Sequence, residues 1–197
     1  MSQTVGIFVF DEIEVLDFSG PFEVFSVANR VAHRDGAAPP FTVVTVSRTG
    51  GEVLARGAYR FVPSHGFADA PMIDILLIPG GVVDAECARA DVIDWIKTVD
   101  AGAALTASIC TGAFLLAKAG LLTGLSATTH WEDIDDLERQ YPQMTVKRGL
   151  PWVDEGRIVT SGGISAGISM SLHLVRRLLG GDFALRVARQ MEYDWRD

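Results

Sequence analysis

Cys110 ends a small apolar run, Ala104-Leu105-Thr106-Ala107-Ser108-Ile109, and a helical pattern, Thr111-Gly112-Ala113-Phe114-Leu115-Leu116, begins directly after it. Strand, tight turn and helix in that order thrust a side chain out at the carboxyl end of a sheet strand, where open α/β sheets hold ligands. The helix that follows aims unpaired N–H groups and a partial positive charge at the sulfur, which favours thiolate over thiol. The same bend presents the serine of Gly-x-Ser-x-Gly hydrolases. A free cysteine is equally an ordinary small core residue, so position alone leaves Cys110 either a nucleophile or a buried hydrophobe.

Four further positions could serve such a thiol. Gly80 and Gly81 follow the apolar run Ile75-Leu76-Leu77-Ile78-Pro79. Two glycines at a strand end let backbone approach a ligand and offer N–H donors to an oxyanion, or simply make a tight turn. Asp17, between Leu16 and Phe18, is either a helix cap or, facing Cys110, a carboxyl kept protonated by apolar flanks and a nearby thiolate. His130 closes Ser126-Ala127-Thr128-Thr129 and is a candidate base for a Cys–His pair, or a structural histidine. His33, His65 and His173 have no ligand spacing, and neither HExxH nor CxxC occurs, so no metal site is expected. Cys87 reads as incidental. The glycines of Ser161-Gly162-Gly163-Ile164-Ser165-Ala166-Gly167 do not form G-x-G-x-x-G after a first strand, which argues against a dinucleotide and leaves no cofactor expected.

These positions need strands and helices to hold them, and the chain supplies an alternation of both. Val5–Phe10 is a continuous apolar run, as in a parallel strand buried on both faces, and Phe41–Val46, Asp74–Ile78 and Ala103–Ile109 read as further strands. Ser19-Gly20-Pro21 offers a cap and first-turn proline for a helix stopping before Asp35-Gly36. Helices are predicted over 85–100, 111–119 and 131–140. A long one carries Ile164, Ile168, Leu172, Val175 and Leu179 on one face, and a last one is capped by Asp182. Short strands are predicted near Val53–Leu54 and Tyr59–Val62, and a hairpin from 146–152 and 157–160. With no linker or repeat, the expectation is one domain over 1–197 with alternating β and α.

The totals narrow the function classes. The 197 residues are 48% hydrophobic and 21% charged, a composition suited to a packed globular core. A net charge of −8 with no basic cluster argues against a nucleic-acid surface. No 18-residue apolar run is present, so no membrane span is expected, and Met1-Ser2-Gln3-Thr4 runs straight into a strand without a signal peptide. The two cysteines are therefore expected reduced, in the cytoplasm.

Asp74-Ile75-Leu76-Leu77-Ile78-Pro79-Gly80-Gly81, Ser108-Ile109-Cys110-Thr111-Gly112-Ala113, Ala127-Thr128-Thr129-His130-Trp131 and Ile158–Gly167 together resemble the ThiJ/PfpI superfamily of class I glutamine amidotransferase-like domains. The resemblance implies a flavodoxin-like three-layer α/β sandwich with a mostly parallel sheet, a cysteine on a nucleophile elbow, and a homodimer acting on a small molecule. Peptidase and deglycase members carry histidine directly after the cysteine; Thr111 here implies neither activity. Leu16-Asp17-Phe18-Ser19-Gly20-Pro21 with Ser108-Ile109-Cys110-Thr111-Gly112 and Thr128-Thr129-His130-Trp131 resembles the members that hydrate isonitriles to N-formamides. In that reading Cys110 is the nucleophile, Asp17 manages the proton and Thr111 shapes the site. The same pattern resembles the amino-terminal domain of AraC-type regulators, which would make this a ligand- or redox-sensing domain. Nothing follows Asp197, so the expectation is a domain without that DNA-binding half.

Overall fold

The computed structural model describes residues 2–195. In chain order the elements are β1 (Gln3–Phe8), α1 (Val15–Arg34), β2 (Phe41–Ser47), β3 (Val53–Ala55), β4 (Tyr59–Phe61), β5 (His65–Gly66) and β6 (Ile75–Ile78). There follow α2 (Asp84–Cys87), α3 (Ala90–Gly102), β7 (Leu105–Ser108), α4 (Gly112–Lys118), β8 (Ser126–Ala127) and α5 (Ile134–Gln140). The chain continues through β9 (Thr145–Val146), β10 (Trp152–Asp154), β11 (Ile158–Ser161), α6 (Ala166–Leu179) and α7 (Gly181–Gln190).

Seven strands form one sheet in the order β10-β11-β7-β6-β1-β2-β5, parallel throughout except for the antiparallel β10–β11 edge. Strands β6, β7 and β11 are buried at every position, as strands covered on both faces must be. Helices α1, α6 and α7 pack together as one layer, and α2, α3 and α4 as the other. The architecture is the predicted flavodoxin-like three-layer sandwich. Chain order reverses at β1, which has β2 on one side and β6 on the other; ligands of such sheets sit at the carboxyl ends beside that reversal.

Register brings the chemical positions together there. Ile78 of β6 is opposite Ser108 of β7, and Ser108 is opposite Thr160 of β11. The Gly80-Gly81, Cys110 and Gly162-Gly163 turns therefore leave the sheet side by side. Gly112 lets α4 begin against β6: a Cβ there would stand 2.0 Å from the Ile78 carbonyl oxygen.

Three local expectations are corrected. Helix α1 starts at Val15 rather than at Ser19–Pro21, because buried Phe18 extends its apolar stripe one turn upstream; Pro21 lies inside it. The proline's missing N–H leaves only the Asp17 carbonyl without its i+4 donor, and Ser19 Oγ turns back to the Val15 carbonyl at 2.7 Å. The 85–100 helix breaks into α2 and α3 at Arg89, whose backbone is extended and whose guanidinium pairs with buried Glu86. The hairpin is confined to β10 and β11, since Val146 pairs instead with Ala127 in a separate two-stranded sheet.

Candidate active site

Cys110 adopts φ +55°, in the left-handed region, between β7 and α4. A non-glycine residue there costs on the order of 1 kcal/mol or more and persists only where its surroundings hold it. Both of its peptide groups are pinned: its N–H donates to the Gly162 carbonyl at 3.2 Å, and its carbonyl accepts from Thr129 Oγ1 at 2.8 Å. The residue is 6% exposed. The N–H groups of Thr111 and Ile164 and the Thr111 hydroxyl act on the sulfur and favour its charged form.

They do not prevail. Burial, followed by the Asp17 charge, pushes the Cys110 thiol up to about 12. The expectation of a resting thiolate is therefore corrected: α4 starts one residue beyond Thr111, but desolvating a thiolate beside a carboxylate outweighs what the turn's N–H groups return.

Asp17 is in the first turn of α1 and is not a cap; the N-cap position is Glu14, without a side-chain cap bond. Its carboxyl is fully buried. Burial raises it to about 7, against the opposing pull of the Gly80 N–H and the Cys110 thiol. Oδ2 accepts from Gly80 N at 3.0 Å, while Oδ1 has no hydrogen-bond partner among the described residues. Burial, expected from the apolar flanks, dominates the raised value, whereas the thiol, expected as a thiolate to raise it further, acts as a donor that lowers it. Between them the two groups present a neutral thiol beside a carboxyl that ionises near neutrality.

The glycine pair serves this arrangement rather than facing outward. With Gly80 N–H on Asp17, Gly81 N–H donates to Thr111 Oγ1 at 2.8 Å and the Thr111 hydroxyl donates back to the Gly81 carbonyl at 2.9 Å. The expectation of two free oxyanion donors is corrected accordingly; the N–H groups aimed at the sulfur are those of Thr111 and Ile164. At position 80 a Cβ would stand 2.5 Å from Thr111 Oγ1 and 3.0 Å from Asp17 Oδ2, so the close approach requires glycine.

A cleft of about 230 Å³ opens over Cys110, lined also by Glu14, Arg56, Gly81, Thr111, His130 and Ile164. His130 shares the cleft, but its Nδ1 faces Glu132 N–H and the Asp133 carboxylate, each at 3.4 Å. The groups acting on the sulfur are Asp17, Thr111 and Ile164. Cys87 is half-buried, its thiol raised to about 11 by burial, and lines an adjoining hollow with Phe114 and Tyr141. Among the described residues no group of three or more His, Cys, Asp or Glu is placed to hold a metal, and no helix is long and apolar enough to cross a membrane.

Sequence reasoning missed Ile164, Glu14 and Arg56. Ile164 follows Gly162-Gly163 at φ +50°, a strained backbone for a β-branched residue that no spacing rule announces. Glu14 and Arg56 meet across the cleft mouth at 3.4 Å, and the Arg56 charge lowers Asp17 slightly while Glu14 raises it. They lie 42 residues apart, and only the turn after β3 brings them together.

An open parallel sheet with a cysteine on a strained strand-to-helix turn, and a buried carboxyl against its thiol, defines a flavodoxin-like cysteine-elbow protein. The chain belongs to the DJ-1/PfpI family, whose pattern matches residues 3–177. It is 32% identical over 194 residues to an isonitrile hydratase of Pseudomonas putida, covering 98% of this chain and 79% of that protein. It is 30% identical to the HTH-type transcriptional regulator CdhR of Pseudomonas aeruginosa over 96% of this chain, but spans only 55% of the regulator. A ThiJ/PfpI family protein from Pseudomonas syringae superimposes with a TM-score of 0.86 at 24% identity, covering 100% of this chain and 77% of that one.

Proposed function

We propose that the protein is a cysteine-dependent lyase that hydrates small isonitriles to N-formamides. The observation that carries the reading is the Asp17–Cys110 pair: a buried carboxyl titrating near neutrality against a neutral thiol, with no histidine acting on the sulfur. The 32% identity to an isonitrile hydratase along almost the whole chain supports the substrate class.

In the proposed sequence ionised Asp17 takes the thiol proton as the sulfur bonds to the terminal isonitrile carbon. Asp17 then returns that proton to the carbon, giving the thioimidate R–N=CH–S. The thiolate forms only in this step, where the Thr111 and Ile164 N–H groups stabilise it. Asp17, again ionised, accepts a proton from water as the water oxygen bonds to the same carbon. The C–S bond breaks, the sulfur takes the proton back from Asp17, and R–N=CH–OH tautomerises to R–NH–CHO. The Cys110 thiol already donates to the Asp17 carboxyl, and these transfers run along that contact. Gly80, Gly81 and Thr111 hold Asp17 and the elbow in place, and His130 shapes the cleft. A homodimer, as the family resemblance implies, working in the cytoplasm, as the cysteine usage suggests, completes the proposal.

The test is formamide production from methyl isonitrile. Wild type turns over, Cys110→Ala does not, and Asp17→Asn loses roughly 10²–10⁴-fold, the range of a lost general acid–base group. Equal rates for wild type and Cys110→Ala refute the reading. One alternative has its own support, the alignment of nearly the whole chain with a transcriptional regulator. A sensing domain would gain sulfinate mass at Cys110 under peroxide while the isonitrile assay stays blank.

A further inference from the structure

The Cys110 cleft has two neighbours. Toward α2 it shares Gly81, Thr111 and Asp133 with a hollow that also exposes Asp84 and Asp136. Toward the β11–α6 turn it shares His130 and Ile164 with a hollow of about 320 Å³ lined by Trp131, Ile134, Leu150 and Gly163. The second is walled by large apolar side chains held in solvent: Trp131 is 76% exposed, Leu150 48% and Ile164 39%. One exposed apolar residue is ordinary, but three around a single concavity form a surface that binding would desolvate favourably.

Ile164 joins the two spaces. Its N–H acts on the Cys110 sulfur and its side chain lines both cavities. A β-branched side chain at φ +50° carries backbone strain that glycine would avoid. His130 forms the other shared wall, with its ring seated on Gly163, where a Cβ would stand 2.0 Å from Cδ2. The cleft alone, at about 230 Å³, falls below the roughly 300–1,000 Å³ usual for small-molecule sites, and joined to the hollow of about 320 Å³ it lies within that range.

We infer that this apolar hollow seats the substrate's substituent, with Trp131, Leu150 and Ile164 as specificity-determining residues that select isonitriles bearing an aromatic or branched hydrocarbon group. The inference rests on the hydratase reading. A molecule whose terminal carbon bonds to the sulfur must extend past one of the two shared walls. The α2-side hollow has apolar walls of its own, Val82, Val83, Phe114 and Tyr141, but a hydrocarbon entering it would also strip water from the Asp84, Asp133 and Asp136 carboxylates, which costs free energy; the hollow of Trp131 and Leu150 has no carboxylate in its lining, and there the hydrocarbon releases water from apolar surface on both partners.

The experiment compares kcat/KM for methyl and benzyl isonitrile in wild type, Trp131→Ala, Leu150→Ala and Leu150→Trp. Wild type is expected to favour the benzyl compound by tenfold or more. Each alanine variant lowers the benzyl-to-methyl ratio by about fivefold to tenfold through the benzyl KM, within the range for lost apolar pocket contacts. Leu150→Trp, which fills the hollow, lowers that ratio at least as far. Both positions are at the surface, so the variants retain the fold. Hydration of methyl isonitrile at Cys110 with a ratio unchanged in the variants overturns this inference alone; no hydration of either compound by wild type overturns the hydratase reading and this inference with it.

Discussion

Asp17→Asn should make the protein more stable, and increasingly so as the pH rises from 5 to 7. The folded protein holds the Asp17 carboxyl at about 7, whereas its ordinary value is 3.8. A group raised on folding binds its proton more tightly in the folded state, so its contribution is favourable at low pH and is lost as pH rises through 7. Below pH 3.8 the carboxyl is protonated in both states and imposes no ionisation penalty. Between 3.8 and 7 the unfolded chain ionises while the folded chain does not, and stability falls by about 1.4 kcal/mol per pH unit. Above 7 the loss levels off near roughly 4 kcal/mol, large against a typical total of about 5–15 kcal/mol. Asparagine keeps an amide oxygen to accept the Gly80 N–H but has no proton to lose. Its stability advantage over wild type should therefore grow by about 3 kcal/mol between pH 5 and pH 8, nearly all of it below 7. Urea unfolding of both proteins at pH 5, 6, 7 and 8 reads this difference directly, because every other titrating group cancels in the comparison. Stability–pH curves that run parallel for the two proteins would show that Asp17 is not a buried carboxyl titrating near neutrality, and the proton-transfer argument would fail with it.

The same ionisation sets a rate profile: kcat/KM for methyl isonitrile should rise about tenfold per pH unit below 7 and level off above it, since only ionised Asp17 accepts the thiol proton. A stopped assay of N-methylformamide from pH 5 to 9 checks this, and a flat profile removes Asp17 as the base. The strain at φ +55° predicts that Cys110→Gly is more stable than Cys110→Ala by about 1 kcal/mol, although glycine is normally the less stable choice. Thermal unfolding of the pair decides it, and alanine being the more stable means the elbow is unstrained.

The positions of the chemistry were legible because period and punctuation carry them. Continuous apolar runs marked β1, β6 and β7, and a helical pattern starting directly after Cys110 marked the bend. What could not be read was the state of the groups, since that depends on burial and on register across distant segments. A cysteine before a helix suggests a thiolate by local rules. The fold buries that cysteine against a carboxyl brought 93 residues along the chain by α1, and the sum of desolvation and like charge reverses the local preference. The start of α1 was misplaced for a different reason: Pro21 is so often a first-turn residue that it hides a helix already one turn old. Ile164 was invisible because its contribution is a backbone N–H, which every residue but proline has; only its left-handed φ aims that donor at the sulfur.

The reversal has a consequence for how such an elbow works. A thiolate at rest would need stronger donors than two N–H groups and a hydroxyl whose proton is already given to the Gly81 carbonyl, and would be open to oxidation throughout. On the proposed function, a neutral thiol beside a carboxyl ionising near 7 keeps the nucleophile masked until a substrate arrives and accepts the electron pair. In the proposed mechanism Asp17 then carries the proton across the contact between the two side chains. On that logic, moving the carboxyl should hurt more than removing its charge. Asp17→Glu, one methylene longer in a fully buried site beside Gly80, should lose both stability, by about 1–3 kcal/mol of overpacking, and turnover. Asp17→Asn should lose turnover alone. Urea unfolding and the methyl isonitrile assay on both variants separate the two outcomes; a glutamate variant as stable and active as wild type would mean that the site is loose and that the tight Gly80–Asp17–Cys110 geometry is not what the chemistry depends on.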